Sequence, residues 1–299
     1  MDERRLEVFV AVARHLSFSR AAVELHLSQP AVSQSVAALE SECGAALIDR
    51  NRRSVRLTAA GRALLAGAED LLRGMRELRG AVHAAQGDIA GDLAVAASLT
   101  IGEYVLPAVL GRFAHAYPRV SVRLAVENTE RVALALLGGR ADLGFVEGPV
   151  PAAGLSIHAL REDELVVVAA PGHPWARLTH VPLEALLGEP IILREAGSGT
   201  RQVMEEHLRT AGADPAGLRV IMELGGIEAV KGAVESGAGV SIVSRSAVDK
   251  ELRLESLIAR PVRGLPMRRT LAAVLAQDRA ALPAAQALLQ LALGAARPR

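Results

Sequence analysis

The strongest constraint on the fold comes from residues 17–42, which read SFSRAAVELHLSQPAVSQSVAALESE. In the second half of this segment, apolar residues spaced as i, i+4 and i+7 share one face of a helix, namely Val32, Val36 and Leu39. Ser28 can cap that helix, and Pro30 lies in its first turn, where the missing N–H costs little. Only residues 26–28 separate it from a preceding helix with its own apolar side. The segment therefore predicts two short helices joined by a sharp turn.

The outer face of the second predicted helix carries uncharged polar side chains close to its first turn. These are Gln29, Ser33 and Gln34, with Pro30 beside them. Gln and Ser hydrogen-bond to base edges in the major groove, as the recognition helix of a helix-turn-helix protein does. An ordinary helical hairpin with a polar outer face is the alternative. The pattern favours the DNA-binding interpretation.

A basic stretch follows directly, at residues 47–57, with the sequence LIDRNRRSVRL. Four arginines fall within seven residues: Arg50, Arg52, Arg53 and Arg56. A small β-wing beside the helix-turn-helix would aim such arginines at phosphates or at a minor groove. A solvated basic loop is the alternative, but the position of the stretch after a helix-turn-helix favours the wing.

Three motifs between Leu6 and Gly61 together identify a family. They are SF-x-RAA at 17–22, LSQPAVS at 27–33 and LT-x-AG at 57–61. The combination resembles the N-terminal domain of LysR-type transcriptional regulators, and it is far more specific than a generic helix-turn-helix. Many family members carry a basic residue at the position of Gln34. We expect this difference to affect which DNA sequence the chain recognises.

The resemblance has consequences for the whole chain. It implies an α/β chain with an N-terminal winged helix-turn-helix, a long linker helix and a C-terminal two-lobed α/β domain resembling periplasmic solute-binding proteins. It also implies double-stranded DNA, a small-molecule effector, RNA polymerase and further copies of the chain, as dimer or tetramer, as partners. The stretches VENTERV, ADLGFVEGP and REAGSGTR are most similar to the branch that governs sulfur or carbon assimilation.

The composition agrees with a bacterial cytoplasmic protein. A chain of 299 residues is long enough for two or more domains. The net charge is only +1, so any basic DNA-binding patch is local. We find neither a signal-peptide pattern nor an apolar run of the ~18 residues that a membrane span needs. The single cysteine, Cys43, cannot form an internal disulfide, and we expect a packed thiol rather than a redox sensor.

The segment 58–86 has a heptad pattern. Leucines recur at Leu57, Leu64, Leu71 and Leu78, and small or apolar residues recur in the interleaved register at Gly61, Ala68, Met75 and Val82. This spacing predicts a coiled-coil seam of about four heptads. An amphipathic helix lying on its own domain is the alternative, but the long, narrow strip favours a partner helix. We expect dimerisation through Leu64, Ala68, Leu71, Met75 and Leu78.

From Asp92 onward, apolar strands alternate with helices, which predicts parallel sheets covered on both faces. We therefore expect a winged helix-turn-helix at 1–58, a linker helix and hinge at 59–90, and an effector-binding domain at 91–299. The last domain divides into lobe 1, at about 91–160 and 267–299, and lobe 2, at about 161–266. Ligands of such folds bind outside the carboxyl ends of the strands, in the cleft.

Two strand-to-helix turns, at 97–102 and 194–201, are typical of a ligand site. Helix N-termini attract anions, and hydroxyls and glycines at such turns expose further donors. N-capping alone would explain any single Ser or Thr. Several such turns facing one cleft favour a site for a small anion or carboxylate, formed by Ser98, Leu99, Thr100, Thr129, Glu147, Gly197, Ser198 and Thr200. Arg194 or Arg201 would either assist or pair with Glu195 or Glu205.

The sequence gives little support to an enzyme. It contains no G-x-S-x-G elbow, no H-E-x-x-H, no phosphate-binding loop and no paired-cysteine metal spacing, and we predict neither a cofactor nor a metal. We therefore predict a transcriptional regulator switched by a small molecule. A solute-binding or transport component is the alternative, as is a DNA-binding protein without a working effector site.

Overall fold

The computed structural model describes residues 1–49, 55–86, 88–150, 153–278 and 280–295. Contacts between Cα atoms divide the chain into two compact units, Met1–Ala85 and Gln86–Arg299. Within the described ranges, no helix combines the length and the apolar character that a bilayer span requires.

The N-terminal unit contains the predicted helix-turn-helix. Its helices are α1 (Glu3–His15), α2 (Phe18–Glu24), α3 (Gln29–Cys43) and α4 (Ala59–Ala85), and its strands are β1 (Ile48–Asp49) and β2 (Arg56–Leu57). Ser17 and Ser28 cap α2 and α3, each accepting a hydrogen bond from a backbone N–H three residues later. The turn between these helices is sharp because His26 adopts a left-handed conformation, with φ of 52°.

The core of this unit lies between α1, α2, α3 and the start of α4, and the predicted apolar face of α3 is fully buried in it. The Glu40 carboxylate accepts hydrogen bonds from Leu47 N (2.8 Å) and Ile48 N (3.0 Å), which fixes β1 against α3. β1 and β2 pair antiparallel as the base of a wing. The predicted arginines Arg50, Arg52 and Arg53 lie outside the described residues.

The expectation of a packed Cys43 is wrong, because the structure exposes its side chain. The expectation rested on the general tendency of a lone cysteine to pack as a small apolar residue. However, α3 ends at Cys43 and the chain turns at Gly44, with φ of 64°. The last turn of α3 therefore lies beyond the core.

Helix α4 divides into a packed half and an exposed half. Gly61 lies so close to the chain at Leu47 that an added Cβ would stand 2.1 Å from the Leu47 carbonyl oxygen. Ala68, which we assigned to a dimer seam, is buried in the core of its own domain, and Leu72 lies beside it. Leu71 is 53% exposed and Leu78 is 69% exposed. The N-terminal half of α4 therefore packs against its own domain, which was the alternative to a coiled-coil seam.

The C-terminal unit is an α/β structure. Its strands are β3 (Gly91–Ser98), β4 (Val120–Glu127), β5 (Leu143–Val146), β6 (Leu155–Ala169), β7 (Ile191–Arg194), β8 (Val220–Leu224), β9 (Ser241–Ser244), β10 (Ile258–Arg260) and β11 (Met267–Ala276). Its helices are α5 (Leu99–Tyr104), α6 (Leu106–Ala116), α7 (Thr129–Leu137), α8 (Leu183–Gly188), α9 (Gly199–Thr210), α10 (Ile227–Glu235), α11 (Asp249–Arg253) and α12 (Pro283–Ala295).

Two groups of apolar clusters define two lobes in this unit. In lobe 1, β3 to β5 pack against α5 to α7 and α12. In lobe 2, β7 to β10 pack against α8 to α11. Strands β6 and β11 pair antiparallel along their length and carry residues into both groups of clusters. The pair therefore joins the lobes, and its register shifts at Leu271/Ala272.

The sequence predicted parallel sheets, and the structure is mixed. β3 pairs parallel with β4 and β5, and β7 pairs parallel with β8. The two long strands bring antiparallel pairs with β5, β9 and β10. Residues 155–169 form the single long strand β6, and Asp163, among charged neighbours, is buried in its ladder with β11.

Candidate DNA-binding surface and effector cleft

The predicted base-reading residues share the outer surface at the start of α3. Gln29, Pro30 and Gln34 are exposed, and Ser33 is half-buried. None of these side chains is needed for the core, which α3 reaches with its opposite face. The start of α3 therefore presents a free polar surface of the kind that enters a major groove.

A groove borders this surface. It has a volume of about 600 Å³ and is lined by Leu16, Ser17, Phe18, Ser19, Gln29, Val55 and Arg56. The start of α2, the start of α3 and the base of the wing form the walls of this groove. It offers hydroxyls, an amide and a guanidinium, which are donors that suit a phosphate backbone.

In lobe 1, the predicted ligand hydroxyls lie at the C-terminal end of β3 and the start of α7. Ser98 is 1% exposed, and its hydroxyl makes no cap hydrogen bond to α5 and has no partner in the structure. Thr129 Oγ1, at the first residue of α7, is also buried without a partner. Ser98 pairs with Glu127 across the β3–β4 ladder, so these two hydroxyls occupy one end of the sheet. Leu99 is half-buried beside them.

In lobe 2, the turn before α9 packs closely against lobe 1. An added Cβ on Gly199 would stand 2.5 Å from Thr129 Oγ1 and 3.2 Å from Glu147 Cγ. Gly197 has φ of 84°, and an added Cβ there would stand 2.9 Å from Asn128 Nδ2. Ser198 caps α9 by accepting from Arg201 N, so N-capping accounts for this hydroxyl. The turn at 194–201 therefore lies against Asn128, Thr129 and Glu147 of lobe 1.

The centre of this cleft is Arg269, on β11, which sequence reasoning missed. Its Nη1 donates to Thr200 Oγ1 at 2.9 Å, and its Nη2 lies 3.4 Å from Thr100 Oγ1. Its Nε donates to Asp163 Oδ2 at 2.8 Å, and Nη2 lies 3.7 Å from Glu147 Oε2. All of these side chains are buried. Arg269 thus joins a hydroxyl of lobe 1 to a hydroxyl of lobe 2.

Arg194 and Arg201 pair with neighbouring carboxylates, which was the alternative to ligand binding. Arg194 makes two hydrogen bonds of 2.8 Å to the Glu195 carboxylate, and its Nη1 remains buried without a partner. Arg201 pairs with Glu205 and Glu223. Hydrogen bonding to Glu205 raises the pKa of the Arg201 guanidinium. Both charges are therefore neutralised by neighbouring carboxylates.

A second polar cluster joins the lobes, and it also escaped the sequence prediction. The Tyr104 hydroxyl at the end of α5 donates to the Glu228 carboxylate on α10, and Lys231 Nζ lies 3.1 Å from the same hydroxyl. Lys231 also binds Glu228 at 2.7 Å and Glu251 at 2.9 Å. Burial and the bond to Glu228 raise the pKa of Tyr104 to about 12. Bonds from Lys231 and Tyr104 lower the pKa of Glu228.

Comparison with known proteins agrees with this architecture. Residues 4–62 match the bacterial regulatory helix-turn-helix protein model of the lysR family, and residues 86–297 match the LysR substrate binding domain. The chain belongs to the LysR family of transcriptional regulators. The predicted fold class, with an N-terminal helix-turn-helix and a C-terminal two-lobed α/β domain, is confirmed.

Individual relatives of this LysR-type regulator are named for carbon assimilation. The RuBisCO operon transcriptional regulator of Allochromatium vinosum is 36% identical over 98% of the chain and 96% of that protein. The regulatory domain of CcmR from Synechocystis PCC6803, solved in complex with 2-PG, is 29% identical over 69% of the chain and 98% of its own length, with a TM-score of 0.64. The crystal structure of CbnR, at 24% identity, shares the fold over the full length of both chains, with a TM-score of 0.70.

Two signals in the sequence could have found the missed residues. Buried and exposed residues alternate at the start of β11, where Met267 and Leu271 are buried. Arg269 lies between them on the same buried face, where its charge needs a partner. Lys231 follows Ile227 by one turn on the apolar face of α10. In each case, a charged residue occupies a position that the periodicity of the strand or helix assigns to the core.

Proposed function

We propose that this regulator controls genes of carbon assimilation and that a compact anion, bound between the two lobes, switches it. The relative named for the RuBisCO operon supports the target class. The complex of the CcmR regulatory domain with 2-PG supports a small-molecule effector in a domain of this fold. We assign no catalytic step to any residue.

The observation that carries the effector site is the pair of buried, unpartnered hydroxyls of Ser98 and Thr129. Buried polar groups are nearly always hydrogen-bonded, because an unsatisfied one costs about 1–3 kcal/mol. Thr129 lies against Gly199 of lobe 2, and Ser98 lies at the same end of the lobe 1 sheet, where it pairs with Glu127. A ligand that accepts hydrogen bonds would satisfy them and contact both lobes at once. We place Leu99, Thr100, Glu147, Gly197, Ser198 and Thr200 around the same site.

On the DNA side, we assign base contacts to Gln29, Ser33 and Gln34, with Pro30 shaping the start of the helix. Their position on the free face of α3 supports this assignment. Phosphate or minor-groove contacts fall to Arg56 at the wing base and to Arg50, Arg52 and Arg53 in the wing. A regulator with these contacts acts in the cytoplasm, where it meets DNA and RNA polymerase.

For assembly, we propose a dimer through the C-terminal half of α4, with a tetramer through further contacts. The exposed side chains of Leu71 and Leu78 support the seam, with half-buried Met75 between them. Leu64 and Ala68 belong more to their own domain, because both pack into its core. In this account residues 1–58 bind DNA, residues 59–90 dimerise, and residues 91–299 bind the effector.

The switching mechanism follows from closure of the lobes. A ligand that contacts both lobes stabilises one arrangement of them in proportion to its differential affinity. In a dimer that arrangement sets the separation of the two recognition helices, and half-site spacing makes DNA binding sensitive to it. The Tyr104–Lys231 contacts add hydrogen bonds that exist only when the lobes are together.

The unpartnered hydroxyls allow a sharp test of the site. Ser98→Ala and Thr129→Val remove groups with no internal partner, so we expect unchanged or slightly higher thermal stability of the free protein. Binding of inorganic phosphate or a compact carboxylate should weaken about tenfold in each variant, measured by calorimetry. Ser241→Ala is the control, because its hydroxyl donates to Ile192 O at 2.7 Å within lobe 2. It should lower stability without changing affinity; the reverse pattern would contradict the site.

A further inference from the structure

The Glu147 carboxylate is an unusual neighbour for an anion site. It is 2% exposed, at the C-terminal end of lobe 1 strand β5. Its Oε1 accepts from Thr200 Oγ1 at 3.3 Å. Its Oε2 has no hydrogen-bond partner, because Arg269 Nη2 stands at 3.7 Å. The cleft therefore contains an unsatisfied acceptor as well as unsatisfied donors.

The buried charges around Glu147 do not favour a simple anion. Arg269 is shared between Glu147 and Asp163, so two carboxylates face one guanidinium. Asp163 also accepts from Ser244 Oγ at 2.8 Å and is fully engaged. The Arg194 charge is matched by Glu195. An anion that meets Glu147 with a bare oxygen would bring two acceptors and two negative charges together in a buried site.

We propose that Glu147 determines effector specificity, by accepting a hydrogen bond from the acidic hydrogen of a protonated, phosphate-type oxyanion. This inference rests on the proposed effector cleft. The remaining oxygens of the ligand accept from Ser98 Oγ, Thr129 Oγ1 and Arg194 Nη1. The effector is then a phosphate monoester or a related hydrogen-bearing oxyanion, and sulfate, which carries no hydrogen at neutral pH, is rejected.

The positions of the unpartnered atoms support one shared ligand. Thr129 Oγ1 and the Glu147 side chain both border Gly199, as the hypothetical Cβ at that position shows. Ser98 reaches the same edge through its pairing with Glu127. Arg194 ends lobe 2 strand β7, five residues before Gly199, and its Nη1 is buried without a partner.

The chemistry of phosphate suits this arrangement. A phosphate monoester loses its second proton near pH ~6, so a protonated fraction is present at neutral pH and can be selected by binding. A hydrogen bond from O–H to a carboxylate is short and charge-assisted. Losing such a bond in a buried site costs a factor of about ten or more in affinity.

The test compares two tetrahedral anions of similar shape, inorganic phosphate and sulfate, by calorimetry on the full chain at constant ionic strength. We expect wild type at pH 6.5 to bind phosphate at least about tenfold more tightly than sulfate. Glu147→Gln replaces the acceptor by an amide that can donate, so the preference should vanish or reverse. Glu162→Gln is the control, since it removes an exposed carboxylate on β6 and should keep the wild-type preference.

A pH series on wild type gives a readout that does not depend on a variant. The preference for phosphate should decline as rising pH depletes its protonated forms, while sulfate affinity changes little. An unchanged preference in Glu147→Gln, with both anions bound, would overturn the role of Glu147 and leave the anion cleft intact. Failure of both anions to bind wild type would overturn the cleft and this inference together.

Discussion

The most consequential single residue of the C-terminal unit is Arg269. It stands directly opposite Asp163 in the antiparallel ladder of β6 and β11, so the pair forms across one rung of the sheet. Its remaining donors reach Thr100 and Thr200, which belong to different lobes. A buried ion pair adds little net stability, but removing one partner leaves a charge that nothing compensates. Arg269 therefore fixes the geometry of the cleft.

We predict that Arg269→Met lowers the free energy of unfolding by about 3–5 kcal/mol, because Asp163 and Glu147 are left buried without a cation. Chemical denaturation monitored by circular dichroism measures this change. Arg268→Met is the matched control, since its side chain is exposed on the opposite face of β11, and it should change stability by less than about 0.5 kcal/mol. Equal effects in the two variants would contradict the assigned role.

The sequence identified residues whose role depends on their immediate neighbours in the chain. It did not identify residues whose contacts depend on the register between strands. Ser98 and Thr129 could be singled out because hydroxyls follow apolar strands at helix starts. Arg269 and Asp163 are separated by more than one hundred positions, and only the pairing of two long strands brings them together. A slip of one residue in that pairing would put both on the other face, and the sequence does not specify this register by itself.

At the scale of elements, α4 has two roles along its length. Gly61 and Ala68 let its first half approach the core of its own domain. From Leu71 onward, the heptad positions Leu71, Leu78 and Val82 are more than half exposed, and an apolar strip of this kind on a helix needs a partner. A second copy of α4 presents the same strip, so a parallel or antiparallel pair would bury both.

We predict that Leu71→Asp raises the dissociation constant of the dimer at least about tenfold, because it places an unpaired charge in the apolar seam. Sedimentation or light scattering over a concentration series measures the change. Ala66→Asp is the control, because Ala66 is exposed on α4 and lies outside the heptad positions. A dimer of wild-type strength in Leu71→Asp would refute the seam.

Element prediction from sequence was most accurate where a cap or a period marked the boundary. Ser28 marked the start of α3, and its capping bond is present in the structure; Thr58 caps α4 in the same way. Helix α5 ends at Tyr104 and α6 begins at Leu106, because Pro107 provides no N–H to continue the first helix. The antiparallel pairs of β6 and β11 could not be predicted, since apolar runs do not encode strand direction.

At the scale of the whole molecule, two lobes meet through buried polar side chains, and a helix-turn-helix unit precedes them in the chain. The lobes touch through Thr129 and Glu147, whose polar atoms include unpartnered ones, and through the Tyr104–Lys231 cluster. Effector binding therefore has a physical means of changing lobe closure. In the proposed dimer, we expect that change to alter how two recognition helices meet two half-sites.

The central claim is that occupation of the inter-lobe cleft changes how the regulator contacts its operator. Footprinting of the DNA upstream of its own gene and of any divergent neighbour, with and without a phosphate-type anion, measures this directly. Wild type should protect paired half-sites, and the protected region should shift when the anion is added. The double variant Ser98→Ala/Thr129→Val should protect the anion-free region under both conditions. An identical wild-type footprint with and without a bound anion would contradict the account.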